Sequence, residues 1–113
     1  MQGFFVTGTD TDVGKTVVSA CLLTHLDALY WKPVQAGAEP ETDAVTVRRL
    51  AEISEDRILP EAYVLPEAIA PHEAARRAGV AIDVAKLEAP ATCSCPWPAP
   101  TMSSTLRRNC IFR

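Results

Sequence analysis

The chain has 113 residues, with 14 Asp+Glu against 11 Lys+Arg, a formal net charge of -3 and 48% hydrophobic residues. This length suits one small domain and excludes a second complete one, and the acidic balance excludes the basic footprint that tracks a phosphate backbone, so no nucleic acid is expected as a partner. No run approaches the roughly 20 apolar residues that span a bilayer, and Met1-Gln2-Gly3 carries no basic leader, so no membrane association is expected and the cytoplasm is the expected compartment.

Phe4-Phe5-Val6-Thr7 is a β-favouring run ending at Gly8, and it predicts a buried strand. After a polar loop, Val17, Val18, Ala20, Cys21, Leu22, Leu23 and Leu26 are apolar almost all round, as in a helix buried against a sheet. Leu29 to Val34 predicts a second strand, with Pro33 at an edge or strand end because it cannot donate a ladder hydrogen bond. The spacing of Ala44, Val45, Val47, Leu50 and Ala51 predicts an amphipathic helix from Thr42 or Asp43 to Glu52, with Thr42 as its cap. Tyr63-Val64-Leu65 predicts a short strand between Pro60 and Pro66. Pro71 opens a helix that Gly79 closes, and Asp83 caps another over Val84 to Leu87. Strands alternating with helices predict an α/β fold with a parallel sheet.

The strongest chemical signal is the loop from Gly8 to Thr16. A glycine-bearing turn between strand and helix leaves backbone N–H groups free to cradle phosphate oxygens. Lys15 would reach the β/γ-phosphates and the Thr16 hydroxyl would ligate Mg²⁺. The spacing departs from the standard G-x-x-x-x-G-K-[ST], because Thr9 stands at its first position and Gly8 lies one residue earlier.

Thr7 to Thr16, read T-G-T-D-T-D-V-G-K-T, resembles the loop of the dethiobiotin synthase family, T-G-T-D-T-x-V-G-K-T, with its extra residue. Trp31-Lys32-Pro33-Val34-Gln35-Ala36-Gly37 is similar to the family's K-P-V-x-[ST]-G segment. Thr42-Asp43-Ala44 falls where the family has an acidic Mg²⁺/ATP contact, and Ala70-Pro71-His72 matches a further [SA]-P-H segment. The resemblance runs over residues 1 to 88. It implies a P-loop NTPase-like parallel sheet flanked by helices, incomplete in this chain, and a homodimer.

The implied reaction is the ATP- and Mg²⁺-dependent carboxylation of 7,8-diaminononanoate with CO₂ and closure of the ring to dethiobiotin. Each step makes or moves negative charge, which suits Lys15 on the phosphates and Lys32 on the carbamate and the transferred phosphoryl group. By the same resemblance ATP binds at Asp12, Val13, Gly14, Lys15, Thr16, Val17 and Asp43, Mg²⁺ at Thr16 and Asp43, and substrate at Thr11, Ala36 and Gly37. Ala36 departs from the family's Ser or Thr, so the hydrogen bond to the substrate carboxylate is expected to come from backbone amides near Gly37 or to be missing. His72 is expected to be structural or solvated.

All 14 acidic residues lie between Asp10 and Glu88, and residues 1 to 90 hold 14 Asp+Glu against 8 Lys+Arg, a net charge of -6. From Ala91 onward there is no acidic residue, while three of the four Cys and Pro96, Pro98 and Pro100 are present. Residues 1 to 90 are therefore expected to form the part that resembles the P-loop domain, and residues 91 to 113 an irregular or disordered tail. The spacing of Cys93, Cys95 and Cys110 lacks the pairing of zinc modules, so neither metal nor disulfide is expected there. The break near residue 90 is the pattern expected of a shifted reading frame. A nucleotide-binding fragment without turnover and a non-functional truncated product are the alternatives to the enzyme.

Overall fold

The computed structural model describes residues 3–87 and 109–112. Strand β1 (Gly3–Val6) leads through the glycine-bearing loop into helix α1 (Lys15–His25), followed by β2 (Leu29–Trp31), β3 (Val34–Ala36) and helix α2 (Asp43–Ala51). Next come a 3-10 turn (Glu55–Arg57), β4 (Ile58–Leu59), β5 (Tyr63–Leu65), helix α3 (Pro71–Ala78), a second 3-10 turn (Val84–Leu87) and β6 (Asn109–Phe112). The expected α/β architecture is present, with short parallel strands flanked by helices.

The run Leu29 to Val34 is two strands rather than one. β2 ends at Trp31 and pairs in parallel with β4, whereas β3 pairs in parallel with β5 in a separate two-stranded sheet. Pro33 has no N–H to continue a ladder. Its carbonyl instead accepts from the N–H groups of Ala62 and Tyr63 at 2.9 and 3.0 Å, which starts the second sheet. The Trp31 indole closes the junction by donating to the Pro60 carbonyl at 3.0 Å.

The larger sheet has the order β1-β6-β2-β4. β6 is antiparallel to both β1 and β2, so those two strands run parallel to each other with β6 between them. Within the tail expected from residue 91, the backbone of residues 109–112 pairs with β1 and that of residues 110–112 also with β2. The rest of that expectation, including Cys93 and Cys95, lies outside the described residues.

The main core gathers Ala20 and Leu23 of α1, Ala28 and Tyr30 around β2, and Ala44, Val47 and Ala51 of α2. A smaller core joins Leu65 to Ala74 and Ala75 of α3. Small residues let α1 and α2 approach closely, in keeping with dense interior packing. α1 is not buried all round as expected. Ser19, Ala20 and Leu23 face inward, while Val17 and Val18 are 56% and 51% exposed because no described element lies over that side.

The helix ends follow local chemistry. Thr42 Oγ1 accepts from Val45 N–H at 3.5 Å, and Pro71 opens α3, which Gly79 ends at φ 67. Asp83 Oδ1 accepts from Ala85 N–H at 3.0 Å and starts a 3-10 turn where a helix was expected. The C-terminal end of α1 is tied down from a distance: the Arg57 guanidinium donates to the carbonyls of Ala28, Leu23 and Leu26 at 3.0, 3.2 and 2.6 Å.

Charged hydrogen bonds to half-buried carbonyls contribute about 1.5–3 kcal/mol, so Arg57→Ala should lower the urea midpoint by a comparable stability loss. An unchanged midpoint would show that water replaces the guanidinium at no cost.

On α3, hydrogen bonds from Arg76 and Arg77 hold the Glu73 carboxyl down to about 2. A depressed folded pKa gives stability that is present above the ordinary carboxyl value and is lost as pH falls toward 2. Glu73→Gln should flatten the acid limb of a stability profile below about pH 4.5, an effect that 1 M salt should shrink because both arginine partners are exposed.

Candidate functional site

The candidate site is built from two helix starts. The loop between β1 and α1 folds back tightly on itself: a Cβ added at Gly8 would meet Val13 Cγ2 at 2.6 Å and the Lys15 stem at 3.3 Å. Asp12 sits at φ 55 and Gly14 at φ 97, the left-handed conformations that turn the chain into the helix. Asp10 Oδ1 accepts from Thr11 N–H at 2.7 Å and stiffens the bend.

α1 begins without a side-chain cap. Its first internal hydrogen bond runs from Val18 N–H to the Gly14 carbonyl at 2.9 Å. The N–H groups of Lys15, Thr16 and Val17 therefore have no intrahelical acceptor. Three such donors at the positive end of a helix form an anion site. The Lys15 ammonium curls over the loop and donates to the Asp10 carbonyl. Ser19 Oγ donates to the Lys15 carbonyl at 2.8 Å, which fixes the first turn from its buried side.

Lys32 occupies the break between β2 and β3, with its side chain 11% exposed, and its ammonium is ion-paired with Asp43 Oδ2 at the start of α2. A lysine removed this far from water requires a partner. Asp43 is better placed for solvent, at 35% exposure, and its carboxylate already holds a cation. That donor chemistry, a hard carboxylate oxygen together with the Thr16 hydroxyl, fits a Mg²⁺ ion held between protein and phosphate oxygens. No hydrogen bond or ion pair joins Lys15 or Thr16 to Asp43.

The remaining predicted site residues fall as follows. Thr11, Asp12, Val13 and Val17 are exposed around the loop, and His72 is exposed at the second position of α3. Ala36 lies in β3 opposite Leu65. Gly37 is engaged on both sides: its N–H donates to the Leu65 carbonyl at 2.9 Å, and its carbonyl accepts from Gln35 Nε2 at 2.5 Å. At φ 81, with Ala68 Cβ only 2.7 Å from where a Cβ would stand, position 37 is shaped for packing of the two-stranded sheet.

Gln35 was not singled out by sequence reasoning, yet it is buried and hydrogen-bonded at both ends. The available signal was a glutamine between two apolar residues of a short strand.

Replacing Lys32 with Met should destabilise the fold by about 1–3 kcal/mol, because the partly buried Asp43 carboxylate loses its counter-ion. Lys32→Met combined with Asp43→Asn should recover part of that loss in urea unfolding. If the single variant matched the wild type, the pair would carry no stability.

A family model described as an AAA domain matches residues 2–95. The ATP-dependent dethiobiotin synthetase BioD of Rhodopseudomonas palustris is 59% identical over 85 residues, covering 75% of this chain and 40% of the relative. That of Paramagnetospirillum magneticum is 55% identical over 92 residues, 81% of this chain and 44% of the relative. The chain thus spans about two fifths of the length of the curated relatives it matches. No solved structure matches it. The matched residues hold the folded-back loop, the uncapped start of α1 and the Lys32–Asp43 pair, and the chain belongs to the AAA-domain family, within which it is similar to part of the dethiobiotin synthetases.

Proposed function

We propose that this chain carries the ATP- and Mg²⁺-handling part of a dethiobiotin synthase, a ligase that carboxylates 7,8-diaminononanoate with CO₂ and closes the ring in biotin synthesis. The observation that carries this reading is the uncapped helix start behind Gly14, where the N–H groups of Lys15, Thr16 and Val17 have no intrahelical acceptor. The likeness to dethiobiotin synthetases gives the phosphate site its reaction.

The N–H groups of Lys15, Thr16 and Val17 bind the phosphate oxygens of ATP, with Asp12, Val13 and Gly14 setting the curve of the loop around them. Lys15 exchanges the Asp10 carbonyl for the β/γ-phosphates. Thr16 and Asp43 would hold Mg²⁺, which when bound neutralises phosphate charge. The substrate takes up CO₂ as a carbamate on one amine. A carbamate oxygen attacks the γ-phosphorus and ADP leaves; the second amine then attacks the carbamoyl carbon and phosphate leaves as the cyclic urea forms. Lys32 moves from Asp43 to the carbamate and the transferred phosphoryl group, where a fixed cation stabilises the developing charge. Thr11 and Ala36 line the substrate, and its carboxylate takes its hydrogen bond from a group other than the engaged Gly37 amide. The same reading makes the working unit a cytoplasmic homodimer.

A second reading is a nucleotide-binding fragment without turnover, for which the uncapped start of α1 alone suffices.

Mg-ATP at 100 times its dissociation constant should stabilise the chain by about 2.7 kcal/mol in a thermal melt, and Lys15→Ala should remove most of that shift. A wild-type melt indifferent to Mg-ATP would overturn the nucleotide site. Phosphate release that requires both diamine and bicarbonate separates the enzyme from the fragment: binding without release leaves the second reading standing.

A further inference from the structure

We propose that Gln35 is the positioning residue that holds Asp43, and through it Lys32, in place for metal and phosphate; the metal clause rests on the function proposed above. β3 turns Gln35 inward, where it is 4% exposed, between Val34 and Ala36. A buried primary amide costs stability unless both its donor and acceptor sides are satisfied. Here each side finds backbone. Nε2 donates to the Gly37 carbonyl at 2.5 Å and lies 3.5 Å from that of Ala36, while Oε1 accepts from Asp43 N–H at 3.4 Å.

Gly37 and Asp43 are the two ends of the connection between β3 and α2, so one side chain fastens that connection at both ends. The start of α2 is divided between two acceptors. Thr42 takes Val45 N–H and Gln35 takes Asp43 N–H. Thr42 satisfies a helix donor in the ordinary way, whereas Gln35 fixes the backbone of the residue whose carboxylate meets Lys32.

The chemistry selects glutamine. Methionine has the length and neither polar function. Glutamate keeps the acceptor for Asp43 and cannot donate to Gly37. A group that orients a metal ligand typically changes metal affinity by about 10–100-fold when lost.

The test uses Gln35→Met and Gln35→Glu in the 113-residue chain, with two readouts besides turnover. The first is amide hydrogen exchange. Gln35→Met should speed exchange at Asp43 by about tenfold while Val45, held by Thr42, changes less than about twofold; Gln35→Glu should leave Asp43 protected. The second is binding of a fluorescent ATP analogue. Gln35→Met should raise the Mg²⁺ concentration for half-maximal binding by about tenfold, with affinity at saturating Mg²⁺ unchanged.

Unchanged Asp43 exchange in Gln35→Met overturns the inference. So does equal loss of protection in both variants, or parallel loss of Val45 protection and nucleotide affinity, which is the mark of a packing defect. A wild-type chain that binds the analogue with no response to Mg²⁺ overturns the functional reading and the metal clause, and the exchange rate at Asp43 then decides whether Gln35 holds that residue.

Discussion

Proline at position 33 has no N–H to give, and the arrangement of the site depends on that missing donor. A continuous strand from Leu29 to Val34 would keep Lys32 in register with its neighbours, alternating faces with Trp31 and Pro33. The interruption divides the run between two sheets and places Lys32 in the gap, where its ammonium reaches the first residue of α2. The displaced chain is taken up by β5 through the Pro33 carbonyl. Gln35 then faces inward, and the connection it fastens delivers Asp43 to the lysine. One backbone constraint thus sets the position of a cation, a carboxylate and the amide that supports them.

Both lysines of the site rest on oxygens of their own chain. Lys15 lies on a carbonyl and Lys32 on a carboxylate. The two contacts differ in kind. A carbonyl offers only a partial charge at an exposed loop, which in the proposed reaction a phosphate displaces readily. The Lys32–Asp43 pair is formed where water has little access, and separating it leaves two charges to be compensated. A cation on Asp43 and an anion on Lys32 provide that compensation together. In the proposed reaction, metal and phosphoryl group are therefore linked in their effect on this pair, since either alone leaves one charge without its partner.

Local chemistry was legible in the sequence. The loop from Thr7 to Thr16, Thr42 as a cap, Pro71 and Gly79 as the ends of a helix, and Asp83 before a helical turn all act over a few residues, so their neighbours in sequence are their neighbours in space. What failed to show was set by partners far along the chain. Periodicity makes α1 apolar all round, but burial requires something on each side, and Val17 and Val18 face outward. Pro33 marked a strand end in the sequence, yet nothing local said that β3 would join β5 in a second sheet. Nothing local showed that the Gly37 amide would be taken by Leu65, which lies 28 positions on. Gln35 was read as part of a motif, and its importance comes from bonds to residues two and eight positions away that only the folded connection brings within reach.

The two helix starts show how one backbone dipole serves opposite charges. Each presents partial positive charge at its N-terminus. α1 leaves it bare: Gly14 supplies no capping side chain, no acidic residue stands in the first turn, and Lys15 adds a full positive charge. α2 covers it: Thr42 caps one N–H, Gln35 takes another, and Asp43 places a carboxylate in the first turn. The bare end favours an anion, and the covered end presents the oxygen that favours a cation. A nucleoside triphosphate with its metal carries both charges within a few bonds of one another. The packing of α1 against α2 through Ala20, Leu23, Ala44 and Val47 brings the two helix surfaces together. Small residues on both faces of that contact are thus as much a condition of the proposed chemistry as the charged groups at the helix starts, because a bulkier contact would separate the helices that carry the two charges.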